Sequence, residues 1–203
     1  MTGDRRIWLV RHGETEGQSS IRYHGSNDVQ LSDVGREQVA ALARLLDGVP
    51  FARVVHSPLR RAAESASILI DQLGLADVAL RADERLREIC FGDAEGMTRG
   101  EIAAAFPGFW SDYDAGRVEA FPGGEPRSAF AARVGAAARE LGGAGWRGDL
   151  LVVAHRGVVK HGVCALLGLD RAPVTGFEVE LASVSVLREE VGAWQLEGLG
   201  LLP

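Results

Sequence analysis

Two short apolar runs, residues 7–10 and 150–154, most constrain the fold of this chain, because each leads directly into a histidine and a glycine. The second run is apolar throughout, which is typical of a central strand covered on both faces. His12 follows the first run and His155 follows the second. Since ligands in open α/β sheets bind beyond the carboxyl ends of the strands, we expect the two histidines to share one edge of a sheet.

Strand and helix patterns alternate along the rest of the chain. Further strands are expected at residues 52–55, 78–81, 184–188 and 193–197, and helices at 33–47, 58–73, 128–141 and 158–167. Ser32 is the expected N-cap of the first helix, and Ser57 followed by Pro58 is expected to begin the second. This order predicts an α/β fold, a three-layer α/β/α sandwich with a mostly parallel central sheet, formed by residues 1–203 as a single domain.

Residues 92–126 interrupt this alternation. They contain Trp110, Tyr113 and three phenylalanines among several glycines and prolines. We expect a small insertion over the C-terminal ends of the strands, with short helices at most. Its aromatic residues either form the core of the insertion or cap an aromatic or sugar leaving group.

Composition and charge exclude several classes of protein. The formal net charge of −6 disfavours general nucleic-acid binding, and no apolar run has the length of a membrane span. The first residues lack the apolar segment of a secretory signal, so a cytoplasmic location is expected. Cys90 and Cys164 form neither a disulfide framework nor a metal motif.

A third predicted strand end adds cations to the two histidines. The strand at residues 52–55 leads through His56 and Ser57 into Arg60 and Arg61. The planar guanidinium group of arginine suits phosphate oxygens, so a cluster of cations without matching carboxylates predicts an anionic ligand. A lone histidine is more often structural than catalytic, but two at matching strand ends, each beside arginine and glycine, favour a reaction site.

Five motifs resemble those of the histidine phosphatase superfamily, in its phosphoglycerate mutase-like branch. In chain order they are RHGETE at residues 11–16, SPLRRA at 57–62, LREICFG at 86–92 followed by EG at 95–96, PGGE at 122–125, and AHRGV at 154–158. The RHG triplet alone would be a weak indication, whereas five motifs in family order over residues 7–169 are a specific one.

The resemblance implies a set of catalytic residues. His12 is expected to be the nucleophile that forms a phosphohistidine, and Glu88 the general acid. Arg11, Arg61 and His155 are expected to hold the phosphoryl oxygens, with His155 as an imidazolium. Covalent catalysis splits one difficult displacement into two easier ones, and a backbone carbonyl at the other ring nitrogen could set the reactive tautomer. Cations already neutralise the phosphate, so no metal and no cofactor are expected.

The resemblance places further residues at the phosphate or substrate: Gln18, Arg22, His24, Gly25, Glu125 and Arg156. Several of these depart from the family pattern. Gln18 stands where asparagine is common, His24 where a small hydroxyl residue is common, and Arg156 where glycine is common. Whether His24, Glu125 and Arg156 face the pocket stays open at this point.

The predicted function is hydrolysis of a small phosphorylated metabolite, a phosphomonoester. The alternatives are a cofactor-dependent phosphoglycerate mutase and a non-catalytic phosphate-binding or regulatory domain. The segment after Gly96 is short and acidic and lacks the longer basic segment of mutases, and the catalytic set is complete, so both alternatives are disfavoured. In length and layout the chain is similar to α-ribazole, sugar-phosphate and glucosyl-phosphoglycerate phosphatases. The resemblance also makes a homodimer a possible assembly.

Overall fold

The computed structural model describes residues 5–143, 147–169 and 176–203. Six strands form its single sheet: β1 Arg5–Arg11, β2 Phe51–His56, β3 Ala79–Ala82, β4 Asp149–Ala154, β5 Val184–Glu190 and β6 Ala193–Leu201. Their order is β3-β2-β4-β1-β5-β6. The first four strands run parallel, and β5 and β6 are antiparallel to their neighbours, so the predicted mostly parallel sheet is confirmed.

Six α-helices accompany the sheet in the described residues: α1 Asp33–Leu42, α2 Arg60–Gln72, α3 Arg99–Ala105, α4 Phe109–Asp114, α5 Arg127–Gly143 and α6 Arg156–Leu166. Three short 3₁₀ turns lie at Ala43–Leu45, Glu84–Leu86 and Gly92–Ala94. The predicted first helix therefore ends early as an α-helix and continues as a 3₁₀ turn.

Strand β4 lies at the centre of the three layers, and all six of its residues are buried. Leu150 and Val152 belong to the core cluster that β4 shares with α5 and α6. Leu151 and Val153 belong to the opposite cluster, shared with α1 and α2. Since successive side chains of a strand point to opposite faces, both faces of β4 need apolar residues, which explains its unbroken apolar sequence.

The helices that follow β2 and β4 begin at other residues than predicted. Helix α2 begins at Arg60 rather than Pro58, with Leu59 in extended conformation before it. Ser57 lies before that residue, and its hydroxyl accepts the N–H of Leu59. Helix α6 begins at Arg156, two residues before the predicted start, so His155 occupies its N-cap position.

The insertion at residues 92–126 has a small core of its own. Ala94, Ile102 and Phe121 are buried there, and the surrounding residues are Tyr23, Phe91, Met97, Phe106, Phe109, Trp110 and Tyr113. Most of the aromatic residues therefore form the core of the insertion. Throughout the described ranges, the helices are too short or too polar for one to traverse a lipid bilayer.

Candidate active site

The two histidines of the sequence pattern lie side by side. Strands β1 and β4 are parallel neighbours in register, with Arg11 opposite Ala154, so the residue after each strand reaches the same edge. The ring centroids of His12 and His155 are 5.2 Å apart. The backbone N–H of His12 also donates to the carbonyl of Ala154 at 3.1 Å. The parallel pairing thus produces the arrangement that the sequence predicted.

His12 is buried in a neutral form with a defined tautomer. Its Nδ1 donates to the carbonyl of Gly13 at 2.7 Å, which leaves Nε2 as the unprotonated nitrogen. Burial, followed by the positive charges of Arg61 and Arg11, lowers the pKa of His12 well below its usual value. An imidazole in this state has its lone pair available at neutral pH.

The loop after β1 passes against the start of α1 with backbone touching backbone. A Cβ on Gly13 would lie 2.3 Å from the carbonyl oxygen of Gly35, and a Cβ on Gly35 would lie 1.9 Å from that of Glu14. Any side chain at either position would push the loop away. Two glycines therefore set the position of His12.

His155 has the hydrogen-bond pattern of a neutral ring, and its expected role as an imidazolium at the phosphoryl oxygens stays a prediction. Its Nδ1 accepts the Nε–H of Arg61 at 3.2 Å, so the ring proton lies on Nε2, which is 2.7 Å from the hydroxyl of Ser57. Burial and then the charge of Arg61 lower the pKa of His155 well below its usual value. Both ring nitrogens therefore have partners within the protein.

Arg61 is bonded to His155 and is not among the residues that line the pocket, and its expected role at the phosphoryl oxygens stays a prediction. It is fully buried, and burial lowers its pKa to about 10, so it stays charged at neutral pH. Besides His155 it donates to the carbonyls of His24, Gly25 and Asn27, which uses four of its five N–H groups.

Glu95 holds the loop that supplies those carbonyls. Its carboxylate accepts the backbone N–H groups of Gly25, Ser26, Asn27 and Phe91 and the Ser26 hydroxyl, at 2.8 to 3.3 Å. Gly25 is needed there for close packing, since a Cβ would lie 1.9 Å from the carbonyl oxygen of Ile89. Glu95 belongs to one of the five sequence motifs, but the sequence predicted no role for it.

Arg11 and Glu88 line the pocket beside His12. Arg11 donates from Nη1 to the carbonyl of Val179 at 2.8 Å, and its buried Nε has no partner among the described residues. Burial, with a smaller contribution from Arg156, lowers the pKa of Arg11 to about 10. Glu88 accepts the N–H of Gly157 at 2.9 Å, and a Cβ on Gly157 would lie 2.4 Å from its Oε1.

The pocket has a volume of about 220 Å³. Its lining comprises Arg11, His12, Ser19, Ser20, Ile21, Arg22, Tyr23, His24, Glu88, Phe91, Arg99 and Arg156. Three of the expected substrate residues, Arg22, His24 and Arg156, are thus present. Arg99, which the sequence did not single out, joins them from the start of α3, and a basic residue next to the motif at residues 95–96 was the available signal.

Three expected substrate residues lie elsewhere. Gly25 lies behind the pocket, as described above. Gln18 adopts a left-handed backbone conformation with φ 59°, and its carbonyl accepts the N–H groups of Ile21 and Arg22, so it forms the turn that precedes the lining segment. Glu125 forms an ion pair with Arg133 at 2.7 Å instead of facing the phosphate. In the described part of the chain, no three histidine, cysteine or acidic side chains are grouped as metal ligands.

Comparison with known proteins agrees with this geometry. Residues 7–201 match the family model of the histidine phosphatase superfamily, branch 1. The chain belongs to this superfamily. The match includes all five motifs and both histidine-bearing strands, so the resemblance seen in the sequence is confirmed.

Two relatives of the chain carry phosphatase names. The chain is 39% identical over 181 residues to the glucosyl-3-phosphoglycerate phosphatase of Mycolicibacterium vanbaalenii, covering 85% of this chain and 79% of that protein. It is 32% identical to the adenosylcobalamin/α-ribazole phosphatase of Salmonella typhimurium, covering 86% of each chain.

Solved structures of the superfamily share the fold. The α-ribazole phosphatase of Shigella flexneri superposes with a TM-score of 0.84 at 26% identity, over 97% of this chain and 96% of the other. A mycobacterial glucosyl-3-phosphoglycerate phosphatase superposes with a TM-score of 0.81 at 31% identity, over 97% and 99% of the two chains. The predicted α/β sandwich is therefore confirmed.

Proposed function

We propose that this protein is a phosphatase that hydrolyses a small phosphomonoester through a phosphohistidine on His12. The observation that carries the proposal is the state of His12, whose Nδ1–H is bound to a carbonyl and whose Nε2 is unprotonated in a pocket beside Arg11. Such a nitrogen is a nucleophile at neutral pH without a separate base. The phosphatase activity named for the relatives supports the same reaction.

In the first step, Nε2 of His12 attacks phosphorus and the bond to the leaving oxygen breaks. Glu88, as the carboxylic acid, gives its proton to that oxygen. The hydrogen bond from Nδ1 to Gly13 stabilises the positive charge that the ring gains. Arg11 provides the unpartnered Nε–H for a phosphoryl oxygen, and charge stabilisation of this kind dominates phosphoryl transfer.

In the second step, water attacks the phosphohistidine. The Glu88 carboxylate accepts a proton from the water as the phosphorus–nitrogen bond breaks, which returns neutral His12 and releases inorganic phosphate. A phosphate dianion next to His155 would favour protonation of that ring, since an opposite charge raises the pKa of a histidine. The groups that stabilise the phosphoryl charge in this cycle are side chains of the protein. Activity is therefore expected in the presence of a chelator.

The charge of the pocket favours a substrate with a second anionic group. Arg22, Arg99 and Arg156 line the pocket, and among the described residues of the lining Glu88 is the only acidic one. Arg22 and Arg156 already pair with Glu101 and Glu178.

Arg99 is the most available of the three arginines. Its guanidinium carbon lies 3.9 Å from the ring centroid of Trp110, whose Nε1 donates to its carbonyl. Its ion pair with Asp114 is long, at 3.5 Å. A stacked guanidinium with a weak partner is suited to bind a carboxylate or a second phosphate of the substrate.

Phosphate release by the purified protein in EDTA tests the reaction. The panel contains glucosyl-3-phosphoglycerate, α-ribazole phosphate, 3-phosphoglycerate, glycerol 3-phosphate and p-nitrophenyl phosphate, with His12→Ala as the inactive control. We expect release that His12→Ala abolishes, and an acid-labile, base-stable phosphoenzyme in rapid-quench experiments. Conversion of 3-phosphoglycerate to 2-phosphoglycerate with a bisphosphoglycerate primer, without net phosphate release, would instead establish the mutase.

An Arg99→Gln variant tests the substrate class. We expect kcat/KM for 3-phosphoglycerate to fall about tenfold, because a charge-assisted hydrogen bond is lost, while the value for glycerol 3-phosphate, which lacks the carboxylate, stays within about twofold. Arg117→Gln is the matched control, since Arg117 lies in the same insertion but pairs with Asp112 away from the pocket lining. Equal losses on the two esters would refute a second anion site at Arg99.

A further inference from the structure

Glu88 lies in a segment without regular secondary structure. Residues 87–90, between the two 3₁₀ turns Glu84–Leu86 and Gly92–Ala94, belong to neither helix nor strand. A general acid must stay within hydrogen-bond reach of the leaving oxygen, and small displacements of a catalytic group cost much of its effect. Other groups must therefore set the backbone position of Glu88.

Arg133 on helix α5 supplies this support. Its Nη1 donates to the carbonyls of Arg85 and Arg87 at 2.9 and 2.7 Å, and its Nη2 donates to the carbonyl of Glu88 at 3.1 Å. Its remaining N–H groups bind both carboxylate oxygens of Glu125 at 2.7 and 2.8 Å. All five N–H groups of the guanidinium are thus used, three of them on the segment that ends at Glu88.

Glu125 and Phe130 complete the support from two sides. The backbone N–H of Glu125 donates to the carbonyl of Cys90 at 2.9 Å, so this residue holds the chain just beyond Glu88 and orients Arg133 at the same time. The Arg133 guanidinium lies 4.8 Å from the centroid of the Phe130 ring. That ring packs against Gly157, whose N–H binds the Glu88 carboxylate.

We propose that Arg133, oriented by Glu125, is a positioning residue for the general acid, which acts on catalysis through Glu88 without touching the substrate. The inference rests on the proposed function, in which Glu88 protonates the leaving oxygen. Glu125, which the resemblance placed at the phosphate or substrate, has the role of orienting Arg133 in this proposal. Arg133 is not among the residues that line the pocket, which is consistent with an indirect role.

Leaving-group dependence separates this role from a general structural one. An alkoxide needs a proton to leave, whereas p-nitrophenolate leaves without one, so loss of a general acid affects alkyl esters selectively. In Arg133→Met we expect kcat/KM for the best alkyl phosphate of the panel to fall about 10- to 100-fold, and for p-nitrophenyl phosphate to change by less than about threefold. Arg139→Met is the matched control, because Arg139 lies on the same helix but faces a surface depression with Arg5 and Trp194.

A double-mutant cycle with Glu88→Gln gives the decisive comparison. If Arg133 acts through Glu88, Arg133→Met causes no further loss on the alkyl phosphate in the Glu88→Gln background. A multiplicative further loss, or equal losses on the two esters, would overturn the inference while leaving the phosphatase intact. Wild-type protein inactive on both esters would overturn the proposed function and the inference with it.

A second variant covers the case in which Arg133→Met does not fold, judged from its thermal unfolding. Glu125→Gln keeps one oxygen acceptor for Arg133 and the same shape, and the N–H bond to Cys90 involves only its backbone. We expect the same selective loss on the alkyl phosphate, smaller than in Arg133→Met. Unchanged kcat/KM on the alkyl phosphate would argue that the pair does not position the acid.

Discussion

At the scale of single residues, the site combines buried cations with neutral imidazoles. Arg61 is fully buried and Arg11 nearly so, while His12 and His155 are buried next to them. Buried charges are costly unless hydrogen bonds or opposite charges compensate for the lost water. Backbone carbonyls compensate for Arg61, whereas the Nε–H of Arg11, which has no partner among the described residues, is available to a phosphate oxygen.

The neutral histidines make stability depend on pH. Because the folded-state pKa values of His12 and His155 lie below the unfolded value of about 6.5, the unfolded chain binds protons that the folded chain does not. The free energy of unfolding is therefore expected to fall as the pH drops below about 6.5, by up to about 1.4 kcal/mol per pH unit for each histidine.

Urea unfolding between pH 5 and 7.5, in a buffer without phosphate, measures this dependence. His155→Gln keeps groups able to accept from Arg61 and donate to Ser57 but cannot take up a proton. Its curve of unfolding free energy against pH should be less steep than that of the wild type. Parallel curves would show that His155 is not a buried neutral histidine in the folded protein.

At the scale of elements, the loop between β1 and α1 does more than carry the chain from strand to helix. Residues 24–27 present the carbonyls of His24, Gly25 and Asn27 to Arg61, and Arg61 in turn binds His155 at the end of β4. Glu95, from the beginning of the insertion, binds three N–H groups of the same loop. Through this loop and Arg61, the insertion thus supports His155 indirectly.

Glu95→Gln tests this coupling between elements. One oxygen of the carboxylate becomes an NH₂ group that faces backbone donors, so at least two hydrogen bonds are lost. We expect the free energy of unfolding to fall by about 2–3 kcal/mol and kcat/KM to fall about 10- to 100-fold on alkyl and p-nitrophenyl esters alike, because Arg61 and His155 serve both. Denaturant unfolding and steady-state kinetics measure the two effects.

Glu197→Gln serves as the control for that variant. Glu197 lies on β6 and forms ion pairs with Arg6 and Arg188 near the surface. Exposed pairs contribute little, so a loss of less than about 1 kcal/mol and unchanged kinetics are expected. If Glu95→Gln behaved like this control, the loop would not depend on its carboxylate.

At the scale of the whole molecule, stability is concentrated at the centre of the sheet. Strand β4 contacts both core clusters, whereas all four residues of the edge strand β3 are exposed. Strands β2, β4 and β1 are adjacent in the sheet and lead into the start of α2, His155 and His12, so these residues reach the same edge. Two well-buried strands therefore position the two histidines.

The same substitution at two strands tests this distribution. Leu151 on β4 is fully buried, and Leu80 on β3 is 48% exposed. Leu151→Ala is expected to lower the free energy of unfolding by about 2–5 kcal/mol through lost burial and a cavity, whereas Leu80→Ala should cost less than about 1 kcal/mol. Guanidinium unfolding measures both; equal costs would contradict a core centred on β4.

Several expectations about the whole molecule stay predictions. They are the cytoplasmic location, the homodimer, the lack of nucleic-acid and membrane partners, and the independence of activity from metals. One detail of the chain end is corrected: residues 198–201 belong to β6, paired with β5, although the predicted strand ended at residue 197.

Local patterns and short motifs are sufficient to predict part of the fold and of the site. The apolar run of residues 150–154 predicts a central strand because both of its faces must be buried, and the histidine that follows marks the reactive edge. His12, His155, Arg11 and Glu88 all lie at that edge, as the motifs indicated. Helix ends were less predictable, since tertiary contacts such as the bond between Ser57 and His155 decide where α2 begins.

Long-range contacts of the folded chain, by contrast, set which polar side chains touch the pocket and which support it. Arg61, Glu125 and Gly25 lie behind the site, while Arg99 enters it and Arg133 binds the segment of Glu88. Hydrogen bonds from a side chain to backbone carbonyls tens of residues away leave no periodic signal, because any residue type can supply a carbonyl. The neutral tautomer of His12 was expected from the sequence, but the hydrogen-bond pattern of His155 was hidden, since burial and neighbouring charges arise only when the chain has folded.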